Sequence, residues 1–273
     1  MFTVERPKST LGSAIAIMEI IFHNTVRSVR KSHSNALIGL LINILQTVIL
    51  VGVFYAMFSI LGLRGSAIRG DFLLFVMSGI FLFMCHTKAM SAVVGSEGPA
   101  SPMMQHLPMT TAIAISSAAL GSLYIQVLSM IVVLYVYHIG WGPITIDDPA
   151  GAMAMVILSW FSGVAVGMVF LALKPWAPQF VGIVSSIYAR ANMIASGKMF
   201  VANSLPSFML VMFDWNPLFH TIDQARGFVF VNYNPHYSSV MYPLILSVAL
   251  IMIGLMGEFY TRKHASLSWS ARR

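Results

Sequence analysis

SNALIGLLINILQTVILVGVFYAMFSILGL, residues 34–63, runs from end to end without a formal charge. A helix of about 20 apolar residues crosses the hydrocarbon core of a bilayer. This stretch is long enough, and it has no polar face to turn toward water. Its reading therefore decides the solvent of the whole chain. The same character recurs at residues 72–94, 109–137, 150–173 and 240–259, with the first span placed at 35–62. Hydrophobic residues make up 58% of the chain and charged residues 9%, against about 25% charged in an ordinary soluble domain. Too few charges exist to cover a water-exposed surface, so lipid must cover it. The sequence predicts an all-α membrane protein forming one domain over residues 1–273. No repeat, linker or low-complexity segment divides it.

One segment departs from the pattern. Residues 177–200 are apolar at first but carry Arg190 and Lys198, and a second apolar piece, 199–213, is interrupted by Pro206. The simplest reading is a crossing helix followed by short re-entrant helices before the last span, giving six transmembrane helices. Such broken backbone is tolerated at membrane depth only where protein or a water-filled cavity surrounds it. Arg190 and Lys198 would lie about 12 Å apart along one helix and share a broad face. Arg190 is then a candidate for the lining of a path, and Lys198 for a side chain that snorkels to the outer surface.

Residues 9–33 form a separate element. Leu11, Ile15, Met18, Phe22, Val26 and Val29 recur at spacings of three and four, while Glu19, His23, Arg27, Arg30 and Lys31 gather on the other side. This predicts an amphipathic helix lying in the membrane interface. The polar first residues, MFTVERPKST, predict that no signal peptide is cleaved. With six spans both ends share a side. That side holds Arg6, Lys8, Arg27, Arg30, Lys31, Lys88, Lys174, Arg262, Lys263, Arg272 and Arg273; the other holds Arg64, Arg69 and Arg226. The bias places both termini in the cytoplasm. The net charge of +7 then reflects retained loops rather than nucleic-acid binding.

Several chemistries are missing. Gly197-Lys198 is followed by Met199 and does not make a phosphate loop; H-E-x-x-H, C-x-x-C and G-x-S-x-G are absent, and Cys85 is the single cysteine. No catalytic residue, metal ligand or bound cofactor is expected of this chain. Gradient-driven carriers usually keep ionisable groups at mid-membrane, and spans one, three, four and six have no formal charge there. An energising partner is the better expectation.

The candidate site residues fall into three groups. Arg27, Arg30 and Lys31, with Trp160, Tyr188 and Arg190, are candidates for a substrate path, although cations beside a membrane also simply attract anionic lipid. Glu97, Pro99 and Pro102 lie in a cytoplasmic loop fit to contact a partner, or to serve only as a solvated turn. Asp214, Trp215, Asn216, Pro217, His220 and Arg226 form an external element, in which an Asp214–Arg226 pair would stiffen a gate. His220 with Asp223, at i and i+3, is the one pair suited to a membrane-embedded transferase acting on a lipid-linked precursor. The twenty methionines read as adaptable packing.

The layout of a leading interface helix, six spans and a broken last external region resembles the membrane subunit of ABC-2 type exporters, above all permeases for capsular polysaccharide or O-antigen. Trp215-Asn216-Pro217-Leu218-Phe219-His220 is similar to that family's W-N-P-L-x-H element, and the loop 97–108 resembles its ATPase-contacting loop. The family's arginine before the proline pair is replaced here by Gln105 and His106, and its A-R-x-L-L-E-like opening of span three by Ser116-Ser117-Ala118-Ala119-Leu120. The resemblance implies a homodimeric pore in a bacterial inner membrane and two separate ATPase subunits that hold ATP and Mg. It also implies outward movement of a lipid-linked, anionic glycan, with a periplasmic accessory protein as a further candidate partner. An exporter of lipid or drug-like cargo is the alternative within the same class.

Overall fold

The computed structural model describes residues 10–31, 36–60, 62, 70–98 and 110–264. Every regular element among them is helical. These are α1 (Thr10–Lys31), α2 (Ala36–Ile60), α3 (Phe72–Val94), α4 (Thr111–Gly140), α5 (Pro149–Leu173) and α6 (Pro178–Ala195), then a 3-10 turn (Ala202–Ser204), α7 (Ser207–Phe213), α8 (Pro217–Val229) and α9 (Met241–His264). Five of them, α2, α3, α4, α5 and α9, are long and apolar enough to cross a membrane. The protein is a multi-pass membrane protein.

Polar caps set where the apolar runs begin. Asp71 accepts from Leu73 N at 2.9 Å ahead of α3, and Asp148 accepts from Ala150 N and Gly151 N, both at 3.0 Å, ahead of α5. A carboxylate here satisfies orphan N–H groups and sits well in the helix dipole. Pro149 occupies the first turn of α5, where its missing N–H is no loss.

α3 is the axis of the bundle and is buried along almost its whole length. Against it α5 runs parallel. Ser159 Oγ donates to Leu82 O at 2.9 Å, Gly163 lies against His86, and Gly167 against Met90. Small residues at four-residue intervals let two backbones approach closely. α9 in turn runs parallel to α5, with Gly254 against Met168, Gly257 against Ala172 and Thr261 Oγ1 donating to Ala172 O at 3.2 Å. α2 and α4 run the opposite way. Phe58 meets Phe72 while Lys88 meets Gln46; Tyr137 OH bonds Asp71 while Ala119 packs with Ala89 and Val93.

Because α5 and α9 are parallel, the chain must return between them, and α6 makes that return. Its eighteen residues span about 27 Å. It falls short of the composition of the other five because it carries Gln179, Ser185, Ser186, Arg190 and Asn192. α6 ends at Ala195, earlier than the sequence reading of 177–200. Gly197 follows at φ +75°, the left-handed conformation that closes helices and suits glycine. Lys198 therefore lies beyond the helix and does not share a helical face with Arg190. It does not snorkel outward either: it is 3% exposed.

α1 shows three faces. Ile21, Asn24, Thr25 and Ser28 are partly buried, and Ser117 Oγ on α4 donates to Ile21 O at 3.3 Å. Ile15, Met18 and Phe22 are exposed, as are Glu19, His23 and Arg27. Of the apolar stripe expected on α1, Ile15, Met18, Phe22 and Val26 thus face away from the bundle, beside the charged stripe, while Val29 packs toward Gly121 of α4 and the side chain of Leu11 lies outside the described residues.

Candidate functional site

A dense polar cluster caps the N-terminal ends of α3 and α5. Asp148 N donates to Phe228 O at 2.8 Å and Asp147 N to Val229 O at 3.3 Å, tying the end of α8 to the start of α5. Asn216 organises the opposite end of α8. Its Oδ1 accepts from Leu218 N at 3.0 Å, while its Nδ2 donates to Asn192 Oδ1 at 2.8 Å and Ala195 O at 2.9 Å. One buried side chain thus starts α8 and holds the end of α6.

His220, four residues on, is buried. Ser239 N donates to its Nδ1 at 3.1 Å, so Nδ1 is an acceptor. Nε2 then carries the proton and donates to Asp214 O at 2.7 Å. Asp223, one turn further, accepts from Tyr233 OH and from Ser238 Oγ at 2.7 Å. His220 and Asp223 are thus each engaged with other partners rather than with one another. The cluster works as a clamp on the 214–239 segment.

Arg226 is the centre of the cap and is 1% exposed. Its Nη1 donates to Gly197 O at 3.0 Å and Phe200 O at 2.6 Å, its Nη2 to Lys198 O at 2.7 Å, and its guanidinium lies 4.0 Å above the Phe75 ring. Burial pulls the guanidinium down to about 10, and the charge of nearby Asp223 opposes that shift. It stays protonated at neutral pH. Lys198 sits alongside, its Nζ 3.7 Å from the Phe83 ring centroid and 4.6 Å from that of Phe54, with no hydrogen-bond partner. An ammonium over aromatic faces keeps part of the stabilisation that water would supply.

Asp214 and Arg226 do not pair: Asp214 is exposed beside His220, and Arg226 is spent on backbone carbonyls. Trp215 is 60% exposed, while Asn216 and Pro217 are buried. Trp160 Nε1 donates to Ala119 O at 2.9 Å. Arg190 and Arg27 are exposed. These candidate path residues are not gathered on one surface. The backbone of α1 includes Arg30 and Lys31, but their side chains lie outside the described residues. Glu97 is half-buried after α3, and Pro99 and Pro102 lie outside the described residues.

Tyr188 leads to a second cluster that the sequence reading missed. Its OH is 3.0 Å from His86 Nε2, His86 Nδ1 is 2.9 Å from Ser162 Oγ, and Ser162 Oγ donates to Ser159 O at 2.8 Å. Because the Ser162 proton is committed to Ser159, His86 Nδ1 is the donor and Nε2 accepts from Tyr188. This chain joins α6, α3 and α5 around a histidine with no solvent exposure. An ionisable side chain within an otherwise apolar span, two residues before Lys88, was the available signal. No protein-family model matches the chain, and no curated protein matches it, so its function has to be read from these residues.

Proposed function

We infer that the chain is the membrane subunit of an ATP-driven ABC-2 type exporter, crossing the bacterial inner membrane six times with both termini in the cytoplasm. The observation that carries this reading is the return of α6 between the parallel helices α5 and α9, followed by two short helices, α7 and α8, folded back as a cap. If α5 and α9 both cross, α6 is the sixth crossing despite its polar residues. Arg190 is then the one formal charge on that crossing, beside a partner surface or a polar path.

Charge supports the orientation. Lys88, Lys174, Arg262 and Lys263 lie toward the C-terminal ends of α3, α5 and α9, where α1 also packs, and Asp71, Asp147, Asp148 and Asp214 lie at the opposite level. Lysine and arginine favour the cytoplasmic side. The exposed apolar stripe of α1 suits the headgroup boundary on that side. On α6, exposed Phe180, Ile183 and Ile187 offer apolar surface to lipid or to a second copy in a homodimeric pore. The cargo is a lipid-linked anionic glycan, which the resemblance of Trp215–His220 favours.

Two separate ATPase subunits supply the energy, docked beside Glu97 and the loop after it. Capture of the full-length chain from its native membranes in mild detergent is expected to bring down a second copy and two copies of a nucleotide-binding subunit. A chain recovered as a monomer, without any nucleotide-binding protein, would overturn the reading.

A further inference from the structure

We propose that the cavity enclosed by α1, α2, α3 and α4 binds the phosphate group of an anionic membrane lipid, with Lys88 as its cationic contact. The cavity measures about 320 Å³, large enough for a phosphate with its glycerol rather than a bare ion. Among the described residues of the lining, Lys88 carries the only formal charge, beside Asn43, Gln46, Gln126, Ser28 and Ser91. Its Nζ donates to Gln46 Oε1 at 2.7 Å, which uses one of the three N–H donors of the ammonium. The wall beside it is already fixed: Gln126 Nε2 donates to Asn43 Oδ1 at 3.1 Å, and Asn43 Nδ2 to Ser129 Oγ at 3.0 Å. Among its described residues this cavity offers a cation, amide groups and serine hydroxyls and no carboxylate, which makes an anion site, not a cation site.

Depth points to a lipid. Lys88 is six residues from Val94, where α3 ends, or about 9 Å along the axis. That is the headgroup–acyl boundary of a helix long enough to span. A smaller cavity of about 130 Å³ shares Ser28, Ala92 and Ala118 with the first and adds Arg27, Ser96 and Glu97, so a second cation lies along the way out, in a cavity that Glu97 also lines. Exposed Ile38, Leu41 and Leu45 stand on the same stretch of α2, and Phe22 on α1. Acyl chains leaving the cavity would meet apolar surface. Ser28 and Val29 of α1 close over Gly121 of α4, so a seated lipid would also fasten α1 to the bundle. The assignment needs the membrane placement of α2, α3 and α4 and stands whether or not the export reading holds.

The same phosphate chemistry is offered by free phosphate and by a lipid-linked cargo. Native mass spectrometry of the full chain with phosphatidylglycerol, phosphatidylcholine and diacylglycerol separates headgroup charge from acyl binding. Phosphatidylglycerol should be retained most and diacylglycerol least. Lys88→Met should weaken phosphatidylglycerol retention about fivefold, the effect of one lysine near an anionic surface, and Lys88→Arg should preserve it. Gln46→Glu, which sets a carboxylate beside Lys88 at unchanged size, should weaken it likewise and serves if Lys88→Met does not fold. Equal retention of diacylglycerol, or full phosphatidylglycerol retention by both Lys88→Met and Gln46→Glu, would overturn the proposal. Displacement of bound phosphatidylglycerol by millimolar inorganic phosphate would overturn the lipid as the occupant, and so would displacement by a lipid-linked glycan phosphate at lower concentration than phosphatidylglycerol itself.

Discussion

Arg226→Met is expected to destabilise the purified protein by about 3 kcal/mol or more, because three backbone carbonyls lose their donor at once and each buried unpaired acceptor costs ~1–3 kcal/mol. The carbonyls belong to Gly197, Lys198 and Phe200, the segment that turns the chain from α6 into the cap. Methionine fills much of the space above Phe75 but offers no N–H group. Arg226→Lys is expected to recover little, since one ammonium cannot reproduce the planar fork that reaches all three oxygens. Thermal unfolding in detergent measures the effect. An Arg226→Met protein that melts with the wild type would show that the cap does not depend on this guanidinium.

Gly163→Val should be at least as damaging, for a different reason. A Cβ on Gly163 would sit 2.3 Å from His86 O and 2.9 Å from both His86 C and Cα. The obstacle is backbone, so no rotamer change relieves it, and α3 and α5 must move apart. Overpacking of this kind costs ~1–3 kcal/mol and sometimes more. Here it also strains the His86–Ser162 bond at the same level and the Ser159–Leu82 bond a turn away. Gly182→Val on α6 is the matched control, because nothing lies within 4 Å of a Cβ there. Loss of folded protein for Gly163→Val and near-normal yield for Gly182→Val are the expected pair of outcomes. Equal yields would contradict the close α3–α5 packing.

The five long apolar helices were legible in the sequence because membrane insertion depends on length and composition, which a single chain displays directly. Asp71 before α3 and Pro149 at the start of α5 marked their boundaries for the same local reason. The short helices after α6 were legible from Pro206 and Pro217, since proline interrupts one helix and starts another. What was not legible depends on residues far apart in the chain. His86 finds Ser162 and Tyr188 at separations of 76 and 102 residues, and no spacing rule reveals such a meeting. Lys198 was read as snorkelling to the outer surface, and Arg226 as pairing with Asp214 in an external gate. Gly197 ends α6 early and turns Lys198 inward onto Phe83, and α8 carries Arg226 over Phe75 to meet the carbonyls of that same turn.

The export reading assigns all nucleotide chemistry to another protein, and ATP turnover tests that assignment most directly. The purified full-length chain in lipid nanodiscs is predicted to hydrolyse no ATP, and hydrolysis is predicted to appear when the captured nucleotide-binding subunit is added back. Sustained ATP turnover by the chain alone would contradict the account.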